Sequence, residues 1–146
     1  QAYGTGFVLM HAKGTPKIMQ DAPTYQNIVE EIYSFFDEKK EDLIKKELPR
    51  IWIDPGIGFG KSLEHNLELM RNLREFQDDC WGTLLGSSRK SWIDHLCNAP
   101  DTQNRLGGSI ASALAAITQG VEIIRVHDVQ ETTQAITVAK ELALLK

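Results

Sequence analysis

The sequence predicts an α/β fold with a parallel sheet, because four short apolar runs alternate with segments of helical periodicity. The apolar runs predict strands over residues 6–10, 50–54, 81–86 and 121–126. Successive strand–helix units are typical of parallel sheets with right-handed crossovers. No linker or low-complexity stretch interrupts them, so we expect one domain over residues 1–146. The pattern alone fits both a four-stranded open sheet and a segment of an eight-stranded barrel.

The first unit is a strand that ends at His11, a loop over residues 13–23 and a helix from Thr24. Glycine and proline in the loop place it outside regular structure. The apolar positions of the helix recur at helical spacing: Tyr25, Ile28, Val29, Ile32, Phe35 and Phe36. The charged run over residues 37–46 continues the helix as a solvated face, and Pro49 ends it.

The second unit begins with a strand that ends at Asp54, because Pro55 has no amide hydrogen to donate to a sheet. Ser62 is the predicted N-cap of the helix that follows. The predicted buried stripe of that helix is Leu63, Leu67, Met70, Leu73 and Phe76.

The last two units are shorter and richer in small residues. The third strand is followed directly by Ser88-Arg89-Lys90 and a short helix that ends near Leu96. A polar loop over residues 98–104 leads to a helix over 106–119, and Gly120 stops it. The fourth strand leads into His127, and the last helix covers about residues 129–144.

Composition excludes several classes of protein. Hydrophobic residues make up 42% and charged residues 25%, as in ordinary globular domains. A net charge of −4 argues against a general nucleic-acid binder, and the apolar runs are too short to span a membrane. The sequence shows no signal-peptide pattern. Cys80 and Cys97 are too few for a disulfide framework and form no metal-like cluster, so we expect a reducing cytoplasm and free thiols.

The stretch around which the chain is organised is the nine-residue string 54–62, Asp-Pro-Gly-Ile-Gly-Phe-Gly-Lys-Ser. Its glycines let the backbone bend and approach a ligand closely. The spacing matches neither the Walker A pattern nor the dinucleotide fingerprint. On its own, the string is also compatible with an ordinary strand-to-helix loop in which Asp54 caps the next helix.

With three further motifs, the string resembles the dihydropteroate synthase family. The motifs are Leu9-Met10-His11-Ala12-Lys13-Gly14-Thr15-Pro16, Gly86-Ser87-Ser88-Arg89-Lys90-Ser91 and Arg125-Val126-His127-Asp128-Val129. The resemblance covers almost the whole chain in unbroken order. It implies the carboxyl-terminal half of a (β/α)8 TIM barrel, whose catalytic mouth lies at the carboxyl ends of the strands. Two open parallel edges would remain, so we expect a partner or an amino-terminal half to cover them.

The resemblance also implies a reaction. Enzymes of this family join (7,8-dihydropterin-6-yl)methyl diphosphate to 4-aminobenzoate and release diphosphate, and sulfonamides compete with the aminobenzoate. Asp54 would hold the pterin's amino and ring-nitrogen donors, since a carboxylate accepts two parallel hydrogen bonds. Lys90 would face the heterocycle. Ser88, together with the amides that open the next helix, would bind the aminobenzoate carboxylate.

The remaining substrate contacts follow from the same resemblance. Met10 would pack on the pterin face, Phe59 would form an aromatic wall, and Gly86 would lie against the substrate. Arg125 and His127 alternate around one residue of a predicted strand, which places both side chains on one side. Two cationic groups there suit the diphosphate. With Lys90, they are the predicted catalytic residues.

Other assignments stay open at this stage. His11 is predicted to be structural, Lys61 and Arg89 either add positive potential or are solvated, and Arg105 has no assigned role. Ala12 stands where many relatives carry methionine, and the segment over residues 39–49 is shorter and more charged than usual. The resemblance places the catalytic loops, further pterin contacts and the Mg²⁺ ligand in the absent amino-terminal half, and it implies a homodimer. The alternatives are a pterin-binding methyltransferase domain and an inactive fragment.

Overall fold

The computed structural model describes residues 5–14, 23–46 and 50–145. Its strands are β1 (Phe7–Met10), β2 (Ile51–Asp54), β3 (Gly82–Leu85) and β4 (Ile123–Ile124). They form a single parallel sheet in the order β1-β2-β3-β4. The helices are α1 (Ile28–Lys45), α2 (Leu63–Arg71), α3 (Ser91–Cys97), α4 (Leu106–Thr118) and α5 (Val129–Glu141). Two short 3₁₀ helices cover Leu73–Phe76 and Thr102–Arg105. The predicted parallel α/β fold is confirmed.

The core lies between the sheet and the helices that cover it. Ile53 of β2 and Leu85 of β3 are fully buried against Ile32 and Phe36 of α1 and Leu69 of α2. Four of these are apolar positions predicted from the helical spacing or the strand runs, whereas Leu69 was not in the predicted stripe of α2, whose Leu63 and Leu67 are only partly buried. Burial of the apolar side chains explains why the segments form these elements. Among the described residues, no helix combines the length and the apolar character needed to cross a membrane.

Three helix boundaries differ from the predicted ones. Helix α1 begins at Ile28, not at residue 24, because Asn27 caps it by accepting the Glu30 amide at 3.3 Å. Its predicted end at Pro49 lies outside the described residues. Helix α2 ends at Arg71, and the apolar stripe continues as a 3₁₀ turn that still buries Leu73 and Phe76. Helix α5 ends at Glu141, shortly before Ala143 takes a φ of 54°.

The fourth strand is much shorter than the predicted strand over residues 121–126. Only Ile123 and Ile124 pair with β3, in register with Leu84 and Leu85. Arg125 still donates its amide to the Leu85 carbonyl at 2.9 Å, but His127 lies beyond the strand. The prediction that Arg125 and His127 alternate along one strand is therefore wrong. Their common orientation has to come from the loop that follows β4.

Candidate active site

The four predicted motifs meet at one edge of the sheet. In a parallel sheet all carboxyl ends lie on the same side, and the register pairs Met10 with Asp54 and Leu85 with Ile124. The loops after β2, β3 and β4 therefore project together. The edge they form carries a buried carboxylate and several cationic side chains.

A cavity of about 400 Å³ lies between these loops. Six of the predicted site residues line it: Phe59, Gly86, Ser88, Lys90, Arg125 and His127. Arg89, whose role was open, and Thr102, which carried no prediction, complete the lining. Asp54 and Met10 lie outside the lining. Met10 is 37% exposed on β1, at the open edge of the sheet.

The loop after β2 is held in shape by glycine geometry and by side-chain hydrogen bonds. Gly56 has a φ of +72°, and a Cβ there would lie 1.8 Å from the His11 carbonyl oxygen, so only glycine fits. Ser62 caps α2 as predicted: its hydroxyl accepts the His65 amide at 3.2 Å, and the His65 ring accepts the Ser62 amide. Asn66 then anchors the loop by accepting the Gly58 amide at 2.7 Å.

Asp54 lies at the base of this loop and is only 3% exposed. Its Oδ1 accepts the Gly56 amide at 2.8 Å. Burial raises the pKa of this carboxyl above its ordinary value, and the Gly56 hydrogen bond and the charges of Lys90, Arg125 and Lys61 partly oppose that rise. Since a carboxylate can accept about four hydrogen bonds, Asp54 keeps acceptor capacity for a ligand beside the Gly56 amide.

Lys90 links the loop after β3 to the loop after β2. Its Nζ donates to the Ile57 carbonyl and lies 4.4 Å from the centre of the Phe59 ring. Burial lowers the pKa of Lys90 to about 8, an effect that Asp54 opposes and Arg125 reinforces. The side chain also explains the tight space above Gly58, where a Cβ would lie 3.1 Å from Lys90 Cδ.

Ser88 and His127 contact each other in the wall of the cavity. The Ser88 hydroxyl lies 3.1 Å from His127 Nδ1 and also accepts the His127 amide at 3.3 Å. Gly86 is adjacent to Arg125: a Cβ on Gly86 would lie 2.8 Å from a terminal guanidinium nitrogen. The structure thus brings Gly86, Ser88, Arg125 and His127 together, although the strand argument for the last two fails. The serine predicted for a carboxylate already has a histidine partner.

Burial and ion pairing decide the roles of Lys61 and Arg89, which the sequence left open. Lys61 is 3% exposed, and its Nζ contacts His11 Nδ1 at 3.1 Å and the Phe59 carbonyl at 3.0 Å, so a solvated role is wrong. Burial lowers the pKa of Lys61 to about 7 and, together with the charge of Lys61, that of His11 to about 4. Arg89 is also not a free surface cation, because it forms an ion pair with Asp128.

Arg105, which had no assigned role, is buried and satisfies three backbone carbonyls. Its guanidinium donates to Ala99 at 2.8 Å, Pro100 at 2.7 Å and Arg89 at 2.9 Å. No sequence signal distinguished this arginine from a surface residue, because all three acceptors belong to loops. Its partners are defined only by the packed structure.

Comparison with known proteins agrees with this geometry. The sequence profile of the family described as pterin binding enzyme matches residues 1–127. Dihydropteroate synthase of Neisseria meningitidis serogroup C is 41% identical over 143 residues, which are 96% of this chain and 50% of the relative. The Escherichia coli enzyme of that name is 43% identical over 141 residues, covering 94% of this chain and 49% of its own. The chain spans about half the length of the curated relatives it matches.

Solved structures give the same result. Dihydropteroate synthase from Thermus thermophilus, in complex with 4-aminobenzoate, superposes with a TM-score of 0.90 at 36% identity, over 97% of this chain and 58% of that one. The Yersinia pestis enzyme in a sulfonamide drug complex gives 0.89 at 39% identity, over 98% and 53%. These neighbours are (β/α)8 barrels, so the predicted half-barrel architecture is confirmed.

Proposed function

This chain belongs to the pterin binding enzyme family, and from that premise we propose that it forms the carboxyl-terminal half of a dihydropteroate synthase, with residues 1–146 as one part of a single barrel domain. The observation that carries the proposal is a cavity lined by Lys90, Arg125 and His127, close to the buried carboxylate of Asp54. Relatives of that name match nearly the whole chain. One solved neighbour contains 4-aminobenzoate, and another contains 6HMPPP.

In the proposed reaction, the carbon–oxygen bond between the pterin methylene and the diphosphate breaks. The aniline nitrogen of 4-aminobenzoate forms the new carbon–nitrogen bond and loses a proton, so the products are 7,8-dihydropteroate and diphosphate. Negative charge accumulates on the departing diphosphate while positive charge develops on the methylene. The protein therefore has to orient the two substrates and stabilise the leaving group, and no covalent enzyme intermediate is needed.

Asp54 is proposed to bind the pterin. Its buried carboxylate can accept the two parallel hydrogen bonds that the amino group and ring nitrogen of the heterocycle offer. A pair of N–H donors suits this position, because a buried carboxylate oxygen without a hydrogen-bond partner keeps its full desolvation cost. Phe59 and Lys90, which make a cation–π contact with each other, would border the pterin ring, and Met10 would pack on the face of that ring.

The cationic side of the cavity is proposed to bind the diphosphate. Arg125 can hold phosphate oxygens in fork geometry, and His127 adds a second donor. Gly86 leaves room for the Arg125 guanidinium, which a side chain at that position would displace. Ser88 and the amides that open α3 would take the aminobenzoate carboxylate, and sulfonamides would compete there. A sulfonamide complex is known for the Yersinia pestis neighbour.

The part of the chain that the structure describes does not by itself make a magnesium site. Within the described ranges, no group of three or more His, Cys, Asp and Glu side chains is placed to hold a metal ion. The cavity lining is cationic instead. We propose that the Mg²⁺ ligand of the complete enzyme lies outside these 146 residues.

Two partners are proposed for the chain. The first is the amino-terminal half of the barrel, which would pair with β1 and β4 and cover Phe7 and Val8, both more than 40% exposed. The second is another copy, which would cover the apolar groove between α4 and α5. That groove has a volume of about 520 Å³ and includes Ile110, Leu114 and Val138.

The exposed thiols Cys80 and Cys97 suit a reducing cytoplasm.

Calorimetric titration of the chain with the pterin diphosphate tests the proposal. We expect saturable binding that is lost, by about a hundredfold or more in Kd, in Asp54→Asn, because the amide presents a donor where the ligand also presents donors. Asp78→Asn is the matched control, since Asp78 pairs with Lys40 far from the cavity. Equal binding by the wild type and Asp54→Asn would refute the assignment. If a folded chain binds nothing alone but binds once the amino-terminal half is added, the roles apply to the assembled barrel only.

A further inference from the structure

Arg89 has an unusual backbone between two residues that line the cavity. Its φ is +57°, in the left-handed region that residues other than glycine seldom occupy. Ser88 precedes it and Lys90 follows it, and both side chains reach into the site. A conformation of this kind persists only where surrounding contacts hold it.

Three contacts from three elements hold Arg89 in place. The hydroxyl of Ser109, in α4, accepts the Arg89 amide at 2.9 Å. The buried guanidinium of Arg105 donates to the Arg89 carbonyl at 2.9 Å. The Arg89 side chain reaches across to Asp128 at the start of α5, with Nε donating to Oδ2 at 2.9 Å and Nη2 donating to Oδ1.

The ion pair joins the two loops that carry the cationic side of the cavity. Asp128 follows His127 directly, and Arg89 lies between Ser88 and Lys90. A second link runs in parallel, from Ser88 to the ring and amide of His127. The pair is partly buried, with side chains 22% and 13% exposed, and its bidentate form restrains orientation as well as distance.

We propose that Arg89 and Asp128 are positioning residues that hold the loop after β3 and the loop after β4 together, so that Lys90 and His127 face the same ligand. This deepens the proposed function and rests on it, because the shared ligand is the pterin diphosphate: Lys90 borders its ring and His127 donates to its diphosphate. Neither side chain is assigned a contact with substrate. Their mutual neutralisation also keeps the carboxylate of Asp128 from repelling an anion in the adjacent cavity.

Two variants separate the side-chain link from the backbone conformation. Asp128→Asn keeps the shape of the side chain and removes its charge. Arg89→Gly removes the guanidinium but favours a positive φ, so it relieves backbone strain. If only the backbone conformation mattered, Arg89→Gly would keep the loops ordered. Asp78→Asn, which breaks the Lys40–Asp78 pair at 2.8 Å, is the control for loss of an ion pair elsewhere.

The first readout is amide hydrogen exchange in the ligand-free chain. We expect the His127 amide to exchange about tenfold faster or more in Asp128→Asn and Arg89→Gly, and at the wild-type rate in Asp78→Asn. The Ile53 amide in β2 reports global unfolding, and its exchange rate should be the same in all three variants as in the wild type. Unchanged exchange at His127 in both site variants would overturn the proposal.

The second readout is calorimetric binding of inorganic diphosphate. We expect both site variants to bind it about tenfold more weakly than the wild type and Asp78→Asn. Tighter binding by Asp128→Asn would overturn the proposal, because a released Arg89 would then act as a ligand itself. A third outcome separates the two proposals: the wild type binds no diphosphate, yet the His127 amide exchanges faster in both site variants. That result would support the positioning role and refute the diphosphate role of the proposed function.

Discussion

Replacing Gly56 with alanine is the sharpest structural test of the loop that carries the candidate site. The new Cβ would lie 1.8 Å from the His11 carbonyl oxygen and 3.0 Å from its carbonyl carbon. Both are backbone atoms, so no side-chain rotation relieves the clash. The φ of +72° adds strain, because alanine in the left-handed region costs about 1–2 kcal/mol.

The clash forces apart two segments that hydrogen bonds hold together. The His11 amide donates to the Asp54 carbonyl at 2.9 Å, and the Gly56 amide donates to Asp54 Oδ1 at 2.8 Å. Each such bond contributes about 1 kcal/mol net. Combined with the backbone strain, we expect Gly56→Ala to lower the free energy of unfolding by roughly 3–4 kcal/mol, a large fraction of a typical domain's stability. The proposed pterin binding through Asp54 should be lost as well.

Gly107→Ala is the matched control, with the opposite expected sign. Gly107 lies in the first turn of α4, and a Cβ there would have no atom within 4 Å. Alanine should therefore stabilise the chain by up to about 1 kcal/mol through helix propensity. Urea unfolding followed by the fluorescence of the buried Trp81 and Trp92 measures both variants at constant m-value. An unchanged midpoint for Gly56→Ala would refute the reasoning.

Two other perturbations address the charges around the site. Burial lowers the pKa of Lys61 to about 7 from an ordinary 10.5, so between those values the unfolded chain binds more protons than the folded one. The free energy of unfolding should therefore rise with pH above about 7, and Lys61→Met should reduce that slope in urea titrations; an identical slope would contradict the lowered pKa of the buried Lys61. Gly86→Ala should push the flexible Arg125 guanidinium aside, weakening diphosphate binding about tenfold by calorimetry while changing stability by less than about 1 kcal/mol. Unchanged binding would remove Arg125 from the proposed anion site.

Much of the fold could be predicted because its signals are local. The apolar spacing of α1, the proline after Asp54 and the Ser62 cap depend on residues within one or two turns of each other, and the structure confirms all three features. The errors lie at element ends. The length of the fourth strand depends on its pairing with β3, which extends only to Leu84 and Leu85. Helix α5 ends early, shortly before the positive φ of Ala143, which no sequence pattern predicts.

The candidate site divides in the same way. The motifs contain seven of the eight residues that line the cavity, all but Thr102, because the carboxyl ends of parallel strands must lie together once the strands are known. The roles of the charges could not be predicted, because Lys61, Arg89 and Arg105 look alike in sequence as polar, flexible cations. Packing separates them: one is buried against His11, one pairs with Asp128, and one satisfies three carbonyls.

The sequence by itself therefore determined the order of strands and helices, the place of the site and most of its lining. Tertiary structure decided which cations face the cavity and which hold its walls. The physical reason is that helix periodicity, capping and turn formation are short-range, whereas desolvation and ion pairing depend on atoms brought together from distant parts of the chain. Arg89 and Asp128 are 39 residues apart and meet only because β3 and β4 are neighbours in the sheet.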